Sequence, residues 1–144
     1  EPTPIELDDL SAELGEGWEL KHSDVLGELG AFVITADELP DLGDQMSLLS
    51  AKFTNRAATG WDGDRYQLYV GPGNAAVMVW TSVWDSDRDQ REFVDAMEEV
   101  AYNRNSFMQG VEGEGNRAVA WFANPKGKRH LSALKAAWKP EPAN

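Results

Sequence analysis

Apolar positions along the chain switch between two periods, and the switches mark its elements. Leu7, Leu10 and Leu14 recur at helical spacing until Gly15-Glu16-Gly17 interrupts them, which predicts a short helix and then a strand over 18–22. After a turn at Ser23-Asp24, the stretch 26–35 carries Phe32, Val33, Ile34 and Thr35, which favour the pleated state and predict a second strand antiparallel to the first. Between 41 and 59, Leu42, Met46, Leu49, Phe53 and Ala57 share one face of an amphipathic helix that Gly60 ends. Alternation then takes over. Tyr66, Leu68 and Val70 alternate with Arg65, Gln67 and Tyr69, and Gly71-Pro72-Gly73-Asn74 reverses the chain. The longest strand follows from Ala76 to Trp84, with Val77, Val79, Thr81 and Val83 on one face and Met78, Trp80, Ser82 and Trp84 on the other.

Ser86, with Asp89 three residues on, fits a capping box, and Asp87 adds a favourable charge to the first helical turn. The helix it opens buries Phe93, Val94, Met97, Val100 and Ala101, turns Glu92, Asp95, Glu98 and Glu99 outward, and ends near Asn103–Asn105. A Gly/Glu loop over 109–116 leads to a strand at 117–122, Asn124-Pro125 closes it, and a last helix over 129–139 aligns Leu131, Leu134 and Trp138. The order is β-β-α-β-β-α-β-α. Hairpins outnumber crossovers, so the expected fold is α+β: a single domain with an antiparallel sheet of about five strands and helices packed mainly on one face. A PsbP- or Mog1-like α/β/α sandwich is the alternative.

With 144 residues, 42% of them hydrophobic, the chain suits one domain with a self-sufficient core. The domain is expected over 7–139, with 1–6 as a linker or trimmed start, since Glu1-Pro2-Thr3-Pro4 does not read as a signal peptide, and 140–144 as a tail. The absence of cysteine removes disulfides, thiolate metal sites and thiol catalysis. A formal charge of −12 makes nucleic acid and anionic membrane poor partners, because both are bound mainly through clustered cations. The short basic run Lys126-Gly127-Lys128-Arg129-His130 reads as a solvated loop. No apolar run reaches the roughly 18 residues that a membrane-spanning helix needs.

Candidate chemistry is sparse. Asp85, Asp87 and Asp89 alternate as calcium ligands do, yet Gln90 and Ala96 stand where a helix-loop-helix calcium loop needs Gly and Glu, so helix-dipole complementarity is the better reading. Asp62 and Asp64 flank Gly63 in a helix-to-strand turn, where a carboxylate can accept backbone N–H bonds and Arg65 can pair with one of them or with Asp85. A loose metal site from Asp62, Asp64 and Asp85 is the weaker functional alternative. His22 and His130 belong to no zinc or triad-like spacing, and no Gly-x-Ser-x-Gly is present. Trp80 and Trp84 share a strand face that Trp61 and Trp121 can approach, which raises an aromatic platform for a sugar or peptide against the simpler reading of a buried aromatic core.

Four stretches together resemble a known module: Leu10 to Trp18, Leu26-Gly27-Glu28-Leu29, Gly60-Trp61-Asp62-Gly63-Asp64-Arg65-Tyr66, and Trp80-x-x-Val83-Trp84-Asp85-Ser86-x-x-Asp89-x-x-x-Phe93. The pattern is similar to the C-terminal module of exported bacterial and haloarchaeal proteins of unknown function, many with a zincin-like His-Glu-x-x-His region upstream. This chain has no His-Glu-x-x-His, so the resemblance carries over no zinc ligand, catalytic residue or cofactor. It implies a prokaryotic, extracytoplasmic, noncatalytic accessory domain with a protein partner or upstream peptidase-like domain. In that reading Trp61, Asp62, Asp64, Arg65, Trp84 and Asp85 form an architectural knot, with Asp64 and Arg65 buried and paired. The alternative is a ligand-binding module for a sugar, peptide or divalent cation, in a groove lined by tryptophans and acids.

Overall fold

Strand β3 (Ala76–Trp84) is apolar on both faces, and that property organises the molecule. In the computed structural model, which describes residues 2–27, 60–101 and 107–138, β3 lies at the centre of a five-stranded antiparallel sheet. Its hairpin partner β2 (Trp61–Val70) lies on one side, joined through the tight turn at Pro72–Asn74. On the other side is β5 (Arg117–Ala123), itself paired with β4 (Met108–Glu114), while β1 (Glu19–Asp24) pairs with the outer side of β2. The order across the sheet is β1-β2-β3-β5-β4.

Because neighbouring residues on a strand point to opposite faces, two cores form. On one face Trp80, Trp84, Ala118, Ala120 and Phe122 meet Met108, Phe93 and Met97. Phe93 belongs to α2 (Asp87–Ala96), which runs into a π turn at Met97–Ala101. Its ring stacks on Trp84 at 4.6 Å and meets Trp80 edge-on at 5.4 Å. On the other face Tyr69, Val77, Val79, Val119 and Trp121 pack against Leu14 of α1 (Ser11–Leu14), Trp18, and Leu131 and Leu134 of α3 (Leu131–Ala137).

The expected single α+β domain with a five-stranded antiparallel sheet is present, and the described helices lie on both of its faces, α1 and α3 together on one and α2 on the other. The physical reason is the pair β3–β5. Both strands are buried on both sides, and an uncovered apolar face would leave Trp80 or Trp121 in water.

Ser86 caps α2 as its spacing predicts: its Oγ accepts the Asp89 N–H at 3.1 Å and donates to the Asp89 carboxylate at 2.8 Å. The expected loop over 109–116 is largely strand instead, with β4 closed onto β5 by the Gly115-Asn116 turn. Residues 28–35 of the expected second strand and the expected helix over 41–59 lie outside the described residues, as do the side chains of Val100 and Ala101. Leu26 and Gly27, which begin the expected second strand, are not in a strand.

Candidate functional site

The block Gly60–Tyr66 enters the sheet through an irregularity. Trp61 pairs with Trp84 and Gly63 with Val83, so Asp62 is bulged out of register and the next residues are re-aimed. Asp64 faces the α2 side and is 2% exposed. Its carboxylate accepts three N–H groups: Leu26 at 2.8 Å, Gly27 at 2.9 Å and the Trp80 indole at 2.7 Å. A buried carboxylate is tolerable when charge-assisted hydrogen bonds replace its water. Here they also fix the chain that leaves β1.

Arg65, one residue on, faces the opposite side, so the expected pairing of Asp64 with Arg65 does not form. Instead Arg65 Nε donates to the Ile5 carbonyl at 2.7 Å and Nη1 to the Ser23 hydroxyl at 3.1 Å, and among the described residues Arg65 makes no ion pair. Asp62 is bound to Thr3, whose hydroxyl donates to the carboxylate and whose N–H donates to the Asp62 carbonyl at 2.6 Å.

These contacts continue along β2. Gln67 Nε2 donates to the Asp8 carbonyl at 2.9 Å, and the Tyr69 hydroxyl accepts the Leu10 N–H at 3.1 Å while donating to Gln67 Oε1 at 3.0 Å. Residues 2–10, whose first five belong to the stretch 1–6 that reads as a linker in the sequence, thus lie as a strap along β2, with Ile5 buried. Gly63 permits the closest approach, since a Cβ there would run into the Thr3 carbonyl. Beside the strap opens a groove of about 490 Å³, lined among others by Leu7, Leu10, Arg65, Gln67, Ala137 and Trp138. Burial raises the pKa of the Tyr69 phenol above its ordinary value, against the Leu10 hydrogen bond that lowers it, and Asp9 and Asp8 add to the rise.

The four tryptophans singled out in the sequence do not share a groove. Trp80 and Trp84 are buried under α2, with Trp61 packed at the edge of the same core, and Trp121 is buried on the opposite face. The Trp84 indole donates to Ser82 Oγ at 2.9 Å and that of Trp121 to Glu112 Oε1 at 3.1 Å. Strand alternation decides this: Trp80 and Trp121 sit on neighbouring strands but stand on opposite faces, because Trp80 is opposite Ala120.

Nor do the candidate metal ligands converge. Asp62 is engaged by Thr3, Asp64 by its three donors, and Asp85 is exposed, its N–H donating to the Gly60 carbonyl at 2.7 Å. No group of three or more metal-ligating side chains occurs among the described residues. His130 packs edge-on against Trp18 at 4.8 Å, while His22 lies exposed on β1. In the basic run, Lys126 Nζ donates to the Gly73 carbonyl at 2.8 Å, so this cation helps to tie down a turn.

A family model matches residues 15–138, which include the Gly60–Tyr66 block that locks one turn and floors one strap. The chain belongs to the family described as a domain of unknown function (DUF8575). The matched region contains Asp64 with all three of its donors, and also Arg65, Gln67 and Tyr69, the DUF8575 residues against which the strap is held. Strap residues 2–10 precede the matched region. No curated protein and no solved structure matches this DUF8575 chain.

The sequence missed the strap, Gln90 and the partners of Asp64. Gln90 is 4% exposed on α2 and donates to the Arg117 carbonyl at 3.0 Å. Its only sequence signal is Gly113, where a Cβ would collide with the Gln90 amide.

Proposed function

We propose that this DUF8575 domain is a noncatalytic, extracytoplasmic accessory domain that works by binding protein, in association with a larger zincin-like peptidase protein. One observation carries the noncatalytic part: the buried acid of the signature block, Asp64, has its carboxylate engaged by Leu26, Gly27 and Trp80. A carboxylate that is buried and has three of its roughly four lone-pair sites occupied by fixed donors is shielded from substrate, so it serves folding and not acid–base chemistry. The association with a peptidase and the location outside the cytoplasm are supported by the resemblance of the Gly60–Tyr66 and Trp80–Phe93 motifs to modules of exported proteins.

The test is calorimetric titration of the purified chain into a zincin-like peptidase region taken from a protein in which both occur, together with a peptidase assay of the chain alone. Saturable binding, with no hydrolysis by the chain alone, is the expected result. Absence of binding, or hydrolysis by the chain that active-site-directed inhibitors block, would sink the reading.

A further inference from the structure

We propose that the face of β2 carrying Arg65, Gln67 and Tyr69 is a binding site for an extended peptide, and that residues 2–10 are its intramolecular occupant. The proposal deepens the protein-binding reading above and rests on it by naming the class of partner: an extended segment with a hydroxyl residue two positions before a buried aliphatic one.

The argument starts from the kind of contact made. A segment that is an integral part of a sheet is held by a ladder of backbone hydrogen bonds, whereas the strap's backbone bond to β2 is that of the Thr3 N–H to the Asp62 carbonyl. Here side chains of one strand reach out to the backbone of another segment: Arg65 to the Ile5 carbonyl, Gln67 to the Asp8 carbonyl and Tyr69 to the Leu10 N–H. Bonds to main-chain groups hold any extended peptide irrespective of its sequence, as in other modes of peptide capture, and side-chain pockets then add selectivity.

Two such selective contacts are present. Asp62 accepts the Thr3 hydroxyl, and Ile5 is 6% exposed. The acids Glu6, Asp8 and Asp9 are exposed, so they identify the occupant less than Thr3 and Ile5 do.

The holding groups are themselves fixed. Tyr69 belongs to the core cluster with Val77, Val79 and Trp121 and donates to Gln67 Oε1, so the receiving surface is preorganised by the core beneath it. The groove of about 490 Å³ runs alongside, between the strap and Trp138, and leaves space for side chains longer than those the strap presents. These holding residues fall within the region that the family model matches, whereas residues 2–10 precede it.

A tethered segment competes at an effective concentration of about millimolar, so a peptide added in trans binds the intact chain weakly until the strap is loosened. The experiment uses the full chain and a fluorescein-labelled peptide with the sequence of residues 1–10, Glu-Pro-Thr-Pro-Ile-Glu-Leu-Asp-Asp-Leu, read by fluorescence anisotropy. Ile5→Ser in the chain removes the buried anchor of the strap and leaves the receiving face unchanged. It is expected to tighten binding of the labelled peptide roughly tenfold relative to the unaltered chain.

Adding Gly63→Ala to Ile5→Ser, which places a methyl where the Thr3 carbonyl sits, is expected to abolish that binding. If Ile5→Ser does not fold, Thr3→Val, which removes only the hydroxyl contact, takes its place with the same expected direction. Equal affinity for the unaltered and loosened chains, or equal affinity for a scrambled peptide, overturns the proposal. Should the peptide fail while the peptidase region still binds, the peptide site falls and the protein-binding reading stands.

Discussion

The Trp80 indole N–H donates to Asp64 Oδ2 at 2.7 Å, and the two residues are diagonal neighbours across β2 and β3, since Asp64 stands opposite Ser82 and Tyr66 opposite Trp80. Two elements far apart in sequence meet at this carboxylate. One of the two buried tryptophans of the α2-side core is oriented by it, and so are the N–H groups of Leu26 and Gly27 just beyond β1. A single buried charge thereby couples the packing of Trp80 against Phe93 to the path of the chain after Asp24.

Replacing the carboxylate therefore strands three donors. Asp64→Ala is expected to lower stability by about 2 to 4 kcal/mol, the cost of buried N–H groups left without an acceptor. A cycle of Asp64→Asn and Trp80→Phe should give a coupling energy of about 1 to 2 kcal/mol. Urea denaturation of the five proteins measures both, and additive single effects in the cycle would show that the indole bond contributes nothing.

Arg65 works on the opposite face and should be separable from Asp64. Lysine cannot reproduce a fork that reaches the Ile5 carbonyl and the Ser23 hydroxyl together, so Arg65→Lys is expected to cost about 1 kcal/mol. Hydrogen exchange locates the loss: the Thr3 and Leu10 amides should exchange faster, while the Gly27 amide, held by Asp64, should not change. Faster exchange at Gly27 would mean that the two faces are coupled through the bulge at Asp62.

Tyr69 predicts a loss of stability in alkali. The fold keeps its buried phenol neutral to a higher pH than the unfolded chain does, so its contribution is complete below the ordinary value of 10.0 and declines as pH rises from there through the raised folded value. Tyr69→Phe should remove this component of the alkaline loss. At neutral pH it should cost about 1 kcal/mol, because the Leu10 N–H and Gln67 Oε1 lose their partner. Denaturation midpoints at neutral pH and above 10.0 separate the two effects.

Much of this fold was legible because it is written in local periods. The β2–β3 hairpin, its Gly-Pro-Gly-Asn reversal and the Ser86 cap each rest on residues within a few positions of one another, and each is where the pattern puts it. Asp64 was legible as a structural acid but its partners were not. Two of them are backbone N–H groups 37 and 38 residues away, and a backbone donor leaves no mark on residue identity. The strap was hidden for the same reason, since Arg65 and Gln67 bind carbonyls of Ile5 and Asp8. The division of the helices between two faces was implicit in the doubly apolar pattern of β3, but local alternation does not say which helix covers which face.

β4 escapes a local reading because Gly110, Glu112 and Gly113 carry little strand propensity, and its explanation lies in tertiary contact. At Gly113 the α2 side chain Gln90 reaches across to donate to the Arg117 carbonyl, filling the space that a Cβ would occupy. Gly113→Ala should therefore displace Gln90, break that bond and cost about 1 to 3 kcal/mol. Gln90→Ala alone should be destabilising by a similar amount, because the Arg117 carbonyl loses its donor and the helix loses its contact. If the collision is the cause, the double variant should be no less stable than Gln90→Ala alone, since the methyl added at Gly113 then enters space that the glutamine has vacated. Thermal melts of the three variants decide it, and full additivity of the two losses would show that Gly113 is needed for the backbone of β4 and not for Gln90.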